Sequence, residues 1–164
     1  MQSAPKGMTA PTENFYRDLN ALKDRFAAMQ PELEMTVRDP SMGVEGYVVV
    51  WNTEISIGGP LERAGKGGTR IVPTLSMDEV KMLARTMALK NAAAGLPLGG
   101  SKSGLKADSS APGLERKYRR FMQLCRPVLH ENGGGFGGFG FDIGGGPEHG
   151  PWAPGEPKTA PCFT

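Results

Sequence analysis

Cysteine, histidine and long apolar runs are all scarce in these 164 residues. Cys125 and Cys162 stand far apart and match no metal-ligand spacing, and two histidines without a cysteine or acidic cluster make no zinc site. Both cysteines are read as chemically plain. No apolar window of about eighteen residues is available for a membrane span, and the first residues lack the basic and apolar regions of a signal peptide. The expectation is a cytoplasmic protein without a membrane partner. A formal net charge of +2 arises from nearly balanced basic and acidic residues, so charge gives no reason to expect a nucleic-acid partner.

Glycine and proline are abundant instead. Their 24 and 14 copies are high for a globular domain and gather toward the C-terminus. The length suits one hydrophobic core of ordinary size. These features predict a loose arm over residues 1–11, one folded domain over 12–142, and a disordered Gly/Pro-rich tail over 143–164.

Within the domain, Thr12 reads as an N-cap, and Phe15, Leu19, Leu22, Phe26 and Met29 recur at helical spacing up to Pro31. The period then changes to two. Leu33, Met35 and Val37 share one side of a strand, Asp39-Pro40-Ser41 supplies a turn, and Val44 to Trp51 is a second, more apolar strand. Alternation at Ile55 and Ile57 extends the strand pattern, and Thr69 to Val72 resumes it after a loop that carries Lys66.

Ser76 with Glu79 three residues on is a capping-box signature opening the next helix, which Gly95 and Pro97 end. Val80, Leu83, Ala84, Met87, Asn91 and Ala94 line one face, and Met82 with Leu89 form a second apolar strip, which predicts burial on two sides. Leu98 to Gly104 reads as a tight loop holding Lys102 and leading into a short strand around Leu105. Leu114, Tyr118, Phe121, Cys125 and Val128 mark a last helix, with Pro127 bending its final turns.

The stretch from Gly65 to Asp108 places Lys66, Lys90 and Lys102 around glycine-rich turns and a helix end, an arrangement suited to an anion. Lys90 falls on the edge of the apolar helix face, where it either snorkels to water or lines a pocket. Spacing alone favours three unrelated surface lysines. Gly133, Gly135 and Gly138 spell a GxGxxG pattern, but no strand run precedes it and no helix can begin across Gly144 to Pro147, so it is not read as a dinucleotide fingerprint.

GKGGTR at 65–70, followed by MALKNAAAGLPLGGSKSG at 87–104, resembles the N-terminal substrate-binding and dimerisation domain of the glutamate, leucine, phenylalanine and valine dehydrogenases. The resemblance runs from about Leu33 to Asp142. It implies an α/β fold, a mixed β-sheet flanked by helices, and no Rossmann domain in this chain. It implies that Lys90 binds the substrate α-carboxylate, that Lys102 is the catalytic lysine, and that Asp142, in Phe-Asp-Ile where the family has Pro-Asp-Val/Ile, relays protons.

Lys66 stands where glutamate-specific members place a lysine on the side-chain carboxylate, whereas KNAAAGLPLGG is closer to the branched-chain and aromatic enzymes. The implied reaction is reversible oxidative deamination of an L-amino acid to a 2-oxo acid and ammonia with NAD or NADP, which would sit on a separate domain. The implied partners are the amino acid or 2-oxo acid and further subunits, identical copies or another dehydrogenase chain. Without a nucleotide domain the isolated chain is expected to be inactive. An inactive assembly or regulatory module and a truncated gene product are the alternatives.

Overall fold

A computed structural model of the chain describes residues 13–146. The expected arm over 1–11, the Thr12 cap, the tail from Pro147 onward and Cys162 lie outside the described residues. Contacts divide the chain into two units, one ending at Gln30 and one beginning at Pro31.

The first unit holds helix α1 (Glu13–Ala28). Glu13 in its first turn and Arg25 in its last complement the helix dipole.

The second unit is a mixed sheet with helices on its faces. Strand β1 (Leu33–Asp39) pairs antiparallel with β2 (Val44–Val50), and the turn between them is fixed by Asp39, whose carboxylate accepts from the Ser41 backbone N–H. Along β1, Leu33, Met35 and Val37 face inward and Glu34, Thr36 and Arg38 outward, as the two-residue period requires. β2 in turn pairs antiparallel with β5 (Gly99–Leu105). Two short strands, β3 (Gly65–Lys66) and β4 (Thr69–Ile71), run parallel to β5 at its two ends.

Helix α2 (Met77–Ala93) packs on one face against Tyr47, Val49, Trp51 and Leu75, burying Val80, Ala84 and Ala88. Helix α3 (Leu114–Cys125) covers the other face, where Val48, Val50, Ile71, Leu105, Tyr118, Phe121 and Cys125 form the larger core. No helix among the described residues is long and apolar enough to cross a membrane.

Several elements differ from the sequence reading. The expected loop at 98–104 is the buried central strand β5, each of its seven residues shielded from solvent. Its glycines are there because other backbone presses against them: a Cβ on Gly100 would lie 2.4 Å from Ala88 N and 2.5 Å from Ala84 O of α2. Ile55 and Ile57 belong to no strand, lie beside a turn closed by Ser56 N to Thr53 O, and are 42% and 66% exposed.

On α2, Met82 and Leu89 are exposed, so that helix is buried on one side only. Only one half of the capping box forms: Ser76 Oγ accepts from Glu79 N, while the Glu79 carboxylate turns to Arg70. Helix α3 is not bent at Pro127 but ends at Cys125, and residues Arg126–Val128 form a separate 3-10 turn. A proline cannot donate the next helical hydrogen bond, and the chain tightens instead.

Candidate active site

The glycine-rich segment after α3 builds one wall of the site. Phe136 is fully buried and meets Phe139 edge-on, with ring centroids 5.2 Å apart, so the segment is pinned by aromatic packing although its composition reads as loop. Its backbone runs beside β3 and β4. Gly65 N donates to Gly135 O, Gly137 N to Gly65 O, Thr69 N to Gly140 O and Ile71 N to Ile143 O, each at 2.8 or 2.9 Å. These bonds fasten the chain on both sides of Asp142 to the backbone on both sides of Arg70.

Lys102 lies on the α2 face of β5, opposite Val49 of β2, and is 4% exposed. Its Nζ is 2.9 Å from Asp142 Oδ2. Burial acts to raise the Asp142 pKa, but the hydrogen bond and charge of Lys102, followed by Arg70, outweigh it and hold the carboxyl below its ordinary value. An ammonium and a carboxylate in direct contact can pass a proton between them with little movement of heavy atoms.

Lys66 ends the two-residue strand β3 and is half-buried. Its carbonyl accepts from Asn91 Nδ2 at 3.4 Å, and the same amide donates to Gly99 O at 2.7 Å. Asn91 is therefore the polar core residue that ties the last turn of α2 to β3 and β5. Gly137 gives the Lys66 stem its room, since a Cβ there would come within 3.2 Å of both Cγ and Cδ. Lys90 precedes Asn91 in the last turn of α2, where its charge suits the helix dipole, and it is exposed.

Lys102 and Asp142 are thus in contact, while Lys66 and Lys90 have no ion pair among the described residues. Sequence reasoning took Glu79 as a helix-capping residue and Arg70 as part of the GKGGTR motif but placed neither in the site, where both join Asp142 in the same cluster. No local signal marked Arg70: it alternates with Thr69 and Ile71 and so falls on the opposite face of the strand, as a solvated charge would.

The GxGxxG letters do not form a dinucleotide cradle. Gly133 follows a 3-10 turn at His130–Asn132, and no helix begins between it and Gly146. Among the described residues, no group of three or more His, Cys, Asp or Glu side chains is placed to hold a metal ion.

Residues 31–134 match the family model for the Glu/Leu/Phe/Val dehydrogenase dimerisation domain. The chain is 36% identical over 103 residues to the glutamate dehydrogenase of Thermotoga maritima, an alignment covering 61% of this chain and 25% of that protein. It is 32% identical over 123 residues to the NADP(+)-dependent glutamate dehydrogenase of Pyrobaculum calidifontis, covering 73% and 27%. The chain therefore spans about a quarter of the length of these relatives.

Among solved structures, the hetero-hexameric glutamate dehydrogenase from Thermus thermophilus, in a leucine-bound form, superposes with a TM-score of 0.63 at 22% identity over 90% of this chain and 39% of that one. The L-tryptophan dehydrogenase of Nostoc punctiforme gives 0.58 at 23% identity over 80% and 37%. These two likenesses concern the fold. The match over 31–134, which takes in α2, β5 and the Lys66, Lys90 and Lys102 positions, establishes that the chain belongs to the Glu/Leu/Phe/Val dehydrogenase dimerisation-domain family.

Proposed function

We propose that this chain is the substrate-binding and dimerisation part of a glutamate-type amino-acid dehydrogenase, acting in reversible oxidative deamination of an L-amino acid to a 2-oxo acid and ammonia. The observation that carries the reading is the contact between Lys102 and Asp142, two residues distant in sequence that the fold brings to 2.9 Å. The two named relatives, both glutamate dehydrogenases, support the glutamate-type assignment.

In this reading Lys90 holds the α-carboxylate and Lys66 the side-chain carboxylate, both as ammonium groups free of competing ion pairs among the described residues. Lys102 first passes its proton to Asp142, and as the neutral amine it then orients the water that adds to the 2-imino acid and takes up the proton that water loses. Asp142 exchanges protons with Lys102 and with the departing amino group. Oxidation at Cα needs a nicotinamide. We assign that task to a nucleotide-binding unit outside the described fold, with the assembled oligomer working in the cytoplasm.

Calorimetry of 2-oxoglutarate with the 164-residue chain tests the proposal. Binding that is lost in Lys90→Ala supports it. No binding by a chain that still self-associates or joins dehydrogenase subunits would instead favour an assembly role. The chain alone should turn over neither glutamate nor leucine with NAD or NADP; measurable turnover refutes the division of labour.

A further inference from the structure

The Lys102–Asp142 contact belongs to a longer chain of charges. Asp142 Oδ2 also accepts from Arg70 Nε at 3.0 Å, and Arg70 Nη1 donates to Glu79 Oε1 at 2.7 Å. The Arg70 side chain is 16% exposed, so its charge is largely removed from water and both partners matter to it. Glu79 sits in the first turn of α2, where the helix dipole favours a carboxylate. Lys102 from β5, Arg70 from β4, Asp142 from the glycine-rich segment and Glu79 from α2 balance in charge.

We propose that Arg70 is the positioning residue of this site: clamped by Glu79, its guanidinium fixes the Asp142 carboxylate against Lys102. Backbone bonds from Thr69 N to Gly140 O and from Ile71 N to Ile143 O fix where Asp142 sits, but they do not aim its side chain, and Phe141 and Ile143 beside it are exposed, so the direction of the carboxylate is left to Arg70. Guanidinium suits the task. It presents donors on separate edges of a rigid plane, so Nε can serve Asp142 while Nη1 serves Glu79, whereas an ammonium is a point charge on a flexible stem. Its catalytic consequence rests on the reading of Lys102 and Asp142 as the acid–base pair.

The test follows the Asp142 carboxyl by carbon NMR against pH in the full 164-residue chain, with Asp142→Asn assigning the signal. In Arg70→Gln the titration midpoint should rise by about one unit or more. In Arg70→Lys it should rise by less, since the charge stays and the two-edged geometry is lost. An unchanged midpoint in folded Arg70→Gln overturns the proposal. Should that variant not fold, Arg70→Lys decides, and a wild-type midpoint there overturns it. Measuring 2-oxoglutarate affinity of the unsubstituted chain alongside separates the two readings. A midpoint that responds to Arg70 without ligand binding supports the clamp and counts against the substrate assignment, whereas binding with an unresponsive midpoint does the reverse.

Discussion

Lys102 Nζ lies 2.9 Å from Asp142 Oδ2, one residue anchored on the buried central strand and the other on a segment sewn to the neighbouring strand by its backbone. The pair has a thermodynamic signature. Because the folded carboxyl titrates below its unfolded value, near 3.9 or about there, the unfolded chain binds the extra proton as acid is added. The contribution of Asp142 to stability is therefore complete above about pH 4 and lost as pH falls through the lowered folded value. Urea unfolding should show the stability gap between wild type and Asp142→Asn shrinking below that pH. A gap that stays constant or widens in acid contradicts the pairing.

Lys66 and Lys90 should separate affinity from folding. Each lacks an ion pair among the described residues, so Lys66→Ala and Lys90→Ala should leave stability within about 0.5 kcal/mol of wild type. Loss of a charge-assisted hydrogen bond of about 1.5–3 kcal/mol should weaken 2-oxoglutarate binding by roughly 10-fold or more. Calorimetry and thermal melting on the same samples check both halves. For a monocarboxylic 2-oxo acid, Lys66→Ala should matter far less than Lys90→Ala.

Gly100→Ala should destabilise the domain although it removes no contact. The added Cβ meets the α2 backbone at 2.4 Å, and neither strand nor helix can yield without disturbing the packing of Ala84 and Ala88. Overpacking of this kind costs about 1–3 kcal/mol. Urea unfolding is the measurement, and a neutral result would mean that α2 can lift from the sheet cheaply.

Phe136→Ala should cost about 3–5 kcal/mol, the usual penalty for emptying a buried aromatic site. It should also loosen the segment that carries Asp142, seen as faster amide exchange at Gly65, Gly137 and Thr69. Phe141→Ala, five residues on and 44% exposed, is the control and should change stability by less than about 0.5 kcal/mol.

The regular elements were legible because their signals are local. The two-residue period of Leu33, Met35 and Val37, the Ser76 cap and the spacing of Tyr118, Phe121 and Cys125 each follow from geometry within a few residues. Strand β5 was not legible. Its sequence, GGSKSGL, lacks β-branched residues, and only the close approach of Asn52 to Gly99, α2 to Gly100 and Leu75 to Gly104 explains why glycine is needed there. Exposure of Met82 and Leu89 was equally invisible, since periodicity reveals an apolar strip but not whether anything in the chain covers it.

The sequence by itself determined the family, the α/β class and the identity of three lysines and an aspartate as candidates, because motif letters and spacing survive without knowledge of the fold. Tertiary structure decided how they are held. Parallel pairing of β3 and β4 with β5 aligns residues remote in sequence, the buried Phe136 fixes a glycine-rich segment, and the cation pair at Asp142 includes an arginine that no local pattern marked. Charge pairs across strands depend on register and burial, and both come into being only when the sheet closes.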